Sequence, residues 1–226
     1  MIYLTGDTHI PNNIAKLNKK NFPEQKNLIR DDYVIVLGDF GLVWEENTEY
    51  DKWKKWLENR NFTILFIDGN HENFTWLNSF PVSKWNGGKV HFISKNIIHL
   101  MRGQIFTIDK QSFFTFGGAY TGDKKERIPG VSWWAEEECT HREKSEALKN
   151  LSMHNYKVDY ILTHTCPDIL LNPLFHFKSH LHSTTGQFLN RIAHAVNFKK
   201  WYFGHMHQDK NFGKFTVLYN EIIKLK

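Results

Sequence analysis

At 226 residues the chain is long enough to bury a continuous core, and we expect residues 1–226 to form a single domain. Hydrophobic residues make up 41% and charged residues 23%, a balance that excludes an intrinsically disordered protein. The formal net charge of +5 favours anionic partners, and a phosphate ester would satisfy that preference as well as nucleic acid.

The number of cysteines and the lengths of the apolar runs indicate the cellular compartment. Cys139 and Cys166 are too few for a disulfide framework, and no N-terminal stretch has the pattern of a signal peptide. Every apolar run is far shorter than the roughly twenty residues that span a bilayer. We therefore expect a cytoplasmic protein that does not associate with membranes.

In chain order, apolar and β-branched runs predict strands at residues 2–4, 33–37, 63–67, 160–162 and 201–203. Between the second and third strands, aromatic residues recur at three-residue intervals from Tyr50 to Trp56. This spacing predicts an amphipathic helix over residues 47–59, with Asn47 or Thr48 as its capping residue. The helix provides the crossover between two strands of one sheet.

Shorter apolar runs occupy residues 90–94, 97–101, 105–108 and 113–116. Because turn residues separate them, we predict that they form the hairpins of a second, more antiparallel sheet. A helix over residues 133–151, a loop and helix up to Phe198, and a closing hairpin to Ile223 complete the pattern. The sequence therefore predicts two packed sheets with helices outside.

Aspartate, asparagine and histidine follow the long predicted strands. Asp7 and His9 lie two residues apart, so a loop just past the first strand can turn both side chains towards one ion. His205 and His207 repeat this spacing at the far end of the chain. The full set of potential ligands is Asp7, His9, Asp39, Asn70, His164, His205 and His207.

This set of ligands predicts a site for more than one metal ion. Seven donors exceed what one tetrahedral site uses, and oxygen and nitrogen donors without a thiolate suit Mn²⁺, Fe or Zn²⁺. Two ions about 3.5–4 Å apart, bridged by a carboxylate and a hydroxide, activate water for in-line displacement at phosphorus. We therefore predict two divalent metal ions, with Asp39 as the bridging carboxylate.

The ordered motifs resemble the calcineurin-like metallophosphoesterase superfamily. They are Asp7-x-His9, Gly38-Asp39, Gly69-Asn70-His71-Glu72, His164 and Gly204-His205-x-His207, which together span residues 6–207. The resemblance implies an α/β fold, namely a four-layer α/β/β/α sandwich with two mixed β-sheets packed face to face and helices outside. It also implies a phosphoesterase that acts on a phosphorylated small molecule or nucleotide.

The resemblance implies roles for individual residues as well. One metal would be held by Asp7, His9, Asp39 and His207, and the other by Asp39, Asn70, His164 and His205. His71 matches the family residue beside the leaving group, so it is expected to protonate that group and stabilise the charge of the transition state. Asp39 and His71 are therefore the predicted catalytic residues.

The chain departs from the Ser/Thr protein phosphatase branch of this superfamily. That branch continues its second motif with an aspartate that orients the catalytic histidine and an arginine that holds phosphate, and residues 40–44 supply neither. The partner of His71 is thus open, and Glu72 gives little support for a protein phosphatase. The predicted substrate contacts are Arg102, Tyr120, Arg127 and His180.

The segment 176–182 repeats the His-x-His spacing, but it follows no predicted strand. We interpret it as a wall of the active site or a surface segment rather than as a third metal site.

Several functions share these motifs. The main hypothesis is hydrolysis of phosphate esters by in-line attack of a metal-bridging hydroxide. One alternative is a phosphodiesterase or nuclease that acts on cyclic nucleotides, dinucleoside polyphosphates or nucleic acid. A second is a catalytically silent metal-binding scaffold, which the intact His71 argues against, and a third is metal-independent binding of nucleic acid through exposed aromatic residues.

Overall fold

The computed structural model describes residues 1–176 and 183–225. Its strands are β1 (Ile2–Thr5), β2 (Tyr33–Leu37), β3 (Thr63–Ile67), β4 (Val82–Trp85), β5 (Gly88–Ser94), β6 (Ile97–Leu100), β7 (Gln104–Ile108), β8 (Gln111–Phe116), β9 (Tyr160–Thr163), β10 (Lys200–Phe203), β11 (Lys210–Phe212), β12 (Phe215–Val217) and β13 (Ile222–Lys224). Its α-helices are α1 (Thr48–Glu58), α2 (Phe74–Leu77), α3 (His141–Met153), α4 (Asp168–Phe175) and α5 (Thr184–Ala195). Short 3₁₀ helices cover Ile14–Leu17, Pro23–Asn27, Lys124–Glu126 and Ala135–Glu137.

The strands form two mixed sheets. The first sheet has seven strands in the order β13-β1-β2-β3-β6-β5-β4, and β1, β2, β3 and β6 run parallel within it. The second has six strands in the order β11-β12-β10-β9-β8-β7, and β12, β10, β9 and β8 run parallel. Antiparallel strands complete both edges of each sheet.

Three apolar clusters show how the layers stack. Along β2, Ile35 points to a cluster shared with the second sheet, whereas Val34 points to the outer face of the first sheet. This alternation follows from the two-residue period of a strand. The outer clusters are closed by α1 on the first sheet and by α3 and α5 on the second. The predicted four-layer α/β/β/α sandwich is therefore confirmed.

The helix over 47–59 was predicted correctly, and the structure selects its cap. The side chain of Asn47 accepts a hydrogen bond of 3.0 Å from the backbone N–H of Tyr50. The prediction of one helix over 133–151 was wrong, because α3 begins only at His141. There Thr140 and Glu143 form a capping box. The hydroxyl of Thr140 accepts a hydrogen bond from the backbone N–H of Glu143, and the carboxylate of Glu143 accepts one from the backbone N–H of Thr140.

The hairpin prediction was wrong in one respect, because the predicted hairpins belong to different sheets. Strand β6 pairs with β3, which places the β5–β6 hairpin in the first sheet, whereas β7 and β8 belong to the second. The chain crosses between the sheets at Gly103, whose φ is +71°. Alternation of apolar residues reports a buried face but does not identify the neighbouring strand.

Candidate metal centre

The strands that carry the predicted ligands bring them to one rim of the sandwich. Asp7 and His9 follow β1, Asp39 follows β2, Asn70 follows β3, His164 follows β9, and His205 and His207 follow β10. These are parallel strands of both sheets, so their carboxyl ends meet at the same edge. The structure thus brings all seven predicted ligands into one cluster.

One group of ligand atoms comes from Asp7, His9 and His207, and these atoms lie within 4.8 Å of one another. His207 Nε2 lies 3.0 Å from Asp7 Oδ2 and 3.1 Å from His9 Nε2. His9 Nε2 is 3.7 Å from Asp7 Oδ2. We call Asp7, His9 and His207 the first ligand group.

The second ligand group consists of Asp39, His164 and His205, which meet the same 4.8 Å limit. His164 Nε2 lies 3.4 Å from Asp39 Oδ1 and 3.1 Å from the side-chain oxygen of Asn70. The other oxygen of Asp39, Oδ2, lies 3.6 Å from His9 Nε2. Asp39 therefore presents one carboxylate oxygen to each ligand group.

Backbone contacts orient these side chains. His164 Nδ1 donates a hydrogen bond of 2.8 Å to the carbonyl of Leu37, which leaves Nε2 directed at the cluster. Asp7 Oδ1 accepts from the backbone N–H of His205 at 3.0 Å. Asp39 Oδ1 accepts from the backbone N–H of His71 at 2.8 Å.

The ligand loops adopt a backbone conformation that L-residues rarely use. Four ligands have positive φ angles: His9 (38°), Asp39 (48°), His205 (64°) and His207 (48°). Each such residue costs of order 1–3 kcal/mol, and residues of this kind cluster at functional sites. Gly69 and Gly204 allow the loops to approach closely. A Cβ at position 69 would lie 1.9 Å from Asp39 Oδ1, and a Cβ at position 204 would lie 2.3 Å from Asp7 Oδ1.

The charges of the cluster fit bound cations. Burial disfavours ionisation of Asp39, but the adjacent His164 outweighs burial and holds the pKa of that carboxyl well below its usual range. Asp7 Oδ2 is buried without a well-aligned hydrogen bond in residues 1–176 and 183–225. The facing Nε2 atoms of His9 and His207 and two buried carboxylates together form a donor set that divalent metal ions match.

A hydrogen-bond chain that was not predicted from the sequence supports Asn70. Asn70 Nδ2 donates to Thr121 Oγ1 at 3.0 Å, and Thr121 Oγ1 donates to Glu137 Oε2. Burial raises the pKa of Glu137 to about 7. The chain holds the side-chain oxygen of Asn70 towards His164. The one feature of the sequence that could have indicated this contact is the position of Thr121 in the loop after β8, five residues past the end of that strand.

Glu72 is buried beneath the loop that carries Asp39. Its Oε1 accepts from the backbone N–H of Phe40 at 2.8 Å, whereas Oε2 has no hydrogen-bond partner among the described residues. Burial, together with the charge of Asp39, raises the pKa of Glu72 well above its usual range. Glu72 therefore ties two ligand loops together.

The predicted catalytic and substrate residues occupy different surroundings. His71 packs beside His9 with ring centroids 5.6 Å apart, and burial is the largest cause of its lowered pKa. Arg127 lies next to His71, with Nη1 of Arg127 3.3 Å from Nδ1 of His71. Arg102 is instead buried, and its guanidinium forms an ion pair of 2.5 Å with Asp68.

Of the other predicted contacts, Tyr120 is half-buried and its ring lies 4.9 Å from Lys124 Nζ. His180 and the rest of 177–182 lie outside the described residues. In the described part of the chain, none of the helices combines the length and the apolar character needed to cross a membrane.

Three comparisons relate the chain to known proteins. The family model for calcineurin-like phosphoesterases matches residues 1–209. An uncharacterized protein of Methanocaldococcus jannaschii is 34% identical over 105 residues, which cover 41% of this chain. The chain spans 57% of the length of that curated relative. A solved phosphopantetheinyl hydrolase of Mycobacterium tuberculosis is 17% identical with a TM-score of 0.36, covering 97% of this chain and 89% of that one.

Proposed function

The chain belongs to the calcineurin-like phosphoesterases, and on that premise we propose that it hydrolyses phosphate esters in one in-line displacement at a two-metal centre. Family membership supports metal-dependent hydrolysis of phosphate esters in general. The observation that carries the finer proposal is the position of Asp39, whose two carboxylate oxygens face different ligand groups. A carboxylate in this position suits a bridge between two ions.

We infer that Asp7, His9, Asp39 and His207 would hold one ion, and that Asp39, Asn70, His164 and His205 would hold the other. When bound, two ions such as Mn²⁺, Fe or Zn²⁺ neutralise the phosphoryl oxygens and make water an effective nucleophile near neutral pH. Because the ligands come from both sheets, residues 1–226 act as one domain in this proposal.

The proposed catalytic role of His71 concerns the leaving group. The backbone N–H of His71 donates to Asp39 Oδ1, and the His71 ring packs against His9 of the first ligand group. The imidazole would therefore lie beside a phosphoryl group held by the two ions. A hydrogen bond from His71 to the leaving-group oxygen would stabilise the charge that develops there. A single displacement without a covalent intermediate inverts the configuration at phosphorus, so retention would contradict this proposal.

The function is tested by a hydrolysis screen. Monoesters, diesters, cyclic nucleotides, dinucleoside polyphosphates and single-stranded DNA are each incubated with Mn²⁺, Zn²⁺, Fe²⁺ or Mg²⁺. We expect metal-dependent turnover that falls at least about 100-fold in Asp39→Asn and His71→Ala. The exposed residues Asp51 and His194 provide matched controls, Asp51→Asn and His194→Asn. Equal trace activity in the wild type and all four variants would instead favour a silent metal-binding scaffold.

A further inference from the structure

We propose that Arg127 is the positioning residue for His71, and that it leaves His71 Nε2 as the nitrogen that donates to the leaving group. This inference rests on the proposed function. It depends on the 3.3 Å approach of Arg127 Nη1 to His71 Nδ1. It answers the question of His71's partner, which the sequence left open.

The direction of this hydrogen bond follows from the chemistry of arginine. A guanidinium has five N–H donors and no acceptor, so the nitrogen that faces it must accept. His71 Nδ1 therefore carries no proton while it contacts Arg127. The proton of the neutral ring then lies on Nε2, the other ring nitrogen. An aspartate partner would impose the opposite arrangement, because a carboxylate accepts and requires a proton on Nδ1.

Arg127 is held in place independently of any substrate. Its Nε and Nη2 atoms donate to the two carboxylate oxygens of Asp123 at 2.7 and 2.9 Å, a bidentate pair. Its Nη1 also donates to the backbone carbonyl of Ser132 at 3.2 Å. The Arg127 side chain is 23% exposed, so its guanidinium lies between His71 and the protein surface.

These contacts argue against Arg127 as a two-pronged clamp on phosphate. Asp123, Ser132 and His71 engage four of the five N–H donors of Arg127 within the described ranges. One N–H remains for another partner. The geometry therefore favours a role through His71 over direct bidentate recognition of the substrate.

The first test reads the ring proton directly. Histidine-selective ¹⁵N spectra are recorded on metal-free and Zn²⁺-loaded protein, and His71 is assigned by its absence in His71→Gln. We expect the Nε2–H form in the wild type and a mixture of ring forms in Arg127→Met. A proton on Nδ1 in the wild type, or an unchanged ring form in Arg127→Met, overturns the proposal. Because it needs no turnover, this test is decided even if the proposed function fails.

The second test separates positioning from substrate binding by kinetics. In Arg127→Met, kcat should fall about 10- to 100-fold while KM stays near the wild-type value, with larger losses for poorer leaving groups. Asp123→Asn, which loosens Arg127 from the surface, should show the same pattern more weakly. Lys125→Met, at an exposed position on the same loop, is the control. A raised KM with unchanged kcat in Arg127→Met would identify a phosphate ligand and refute a positioning role.

Discussion

The ring of Tyr219 stacks on the ring of His207, with centroids 4.5 Å apart and planes inclined by 19°. The buried amine of Lys16 donates to the backbone carbonyl of Tyr219 and, at 2.8 Å, to that of Asp7. One lysine thus links the loop after β1 to the segment that supports His207. The first ligand group therefore depends on residues that follow the last motif.

Replacing Tyr219 should weaken metal binding at the first ligand group. In Tyr219→Leu the stacked ring is lost, and we expect about a 10- to 100-fold loss of affinity, the usual effect of removing a group that orients a ligand. Titration calorimetry with Mn²⁺ measures the effect. Tyr219→Phe keeps the ring and should bind like the wild type, so equal losses in the two variants would show that stacking is not the cause.

Single-ligand variants should divide into two classes. His207→Ala and Asp7→Ala remove ligands of the first group, whereas His205→Ala and His164→Ala affect the second. We expect each pair to lose the same ion and to keep the other. Metal content after dialysis, measured by elemental analysis, checks this, and one common stoichiometry in all four variants would disprove the division.

Gly69→Ala should disrupt the centre because there is no room for a methyl group. The added Cβ would lie 1.9 Å from Asp39 Oδ1 and 2.3 Å from the backbone nitrogen of Asp39, so the Asp39 carboxylate must move. We expect loss of metal binding and at least about a 100-fold fall in activity. Gly122→Ala is the matched control, because no atom lies within 4 Å of a Cβ there.

Thr121→Val should weaken binding at the second ligand group. The substitution keeps the side-chain volume but removes the oxygen that accepts from Asn70 and donates to Glu137. Asn70 can then rotate, and we expect about a 10- to 100-fold lower metal affinity. Thr121→Ser retains the hydroxyl and should restore most of the affinity. If serine and valine behave alike, the hydroxyl has no role in holding Asn70.

Acid should destabilise the metal-free protein partly through His91. Burial, aided by the adjacent His99, lowers the pKa of His91 to about 4. In the unfolded chain His91 is protonated below about pH 6.5, whereas in the folded chain it stays neutral down to about pH 4. Because the unfolded state binds the extra proton, the free energy of unfolding decreases as the pH falls from 6.5 towards 4.

At the acid end of that range, His91 contributes up to about 3 kcal/mol of this loss. Urea unfolding between pH 7 and 4.5, with a chelator present, checks it. His91→Gln should show a shallower dependence on pH, and an equal slope in both proteins would contradict the assignment.

The order of the motifs in the sequence is enough to predict much of the candidate centre. The end of a strand can be recognised locally, because an apolar run stops one or two residues before Asp7, Asp39 or His164. The convergence of parallel strand ends at one rim is a general property of such sheets. The seven candidate ligands therefore follow from the sequence, and the structure brings them together.

The pairing of hairpins could not be read in this way. Strands β5 and β7 have similar apolar patterns, yet they lie in different sheets. Pairing is decided by contacts between residues far apart in sequence, such as Ile64 with Ile97. Helix α3 also begins later than the predicted start at residue 133, because Thr140 provides a local capping box.

The sequence by itself determined the ligand chemistry, the strand that precedes each ligand and the layered fold, because these follow from residue type and local periodicity. Only the tertiary structure decided what supports the ligands. Arg127 beside His71, Thr121 beside Asn70 and Tyr219 on His207 belong to loops with no recognisable motif. Their roles arise from packing across 12 to 56 residues of chain, and no local pattern encodes such contacts.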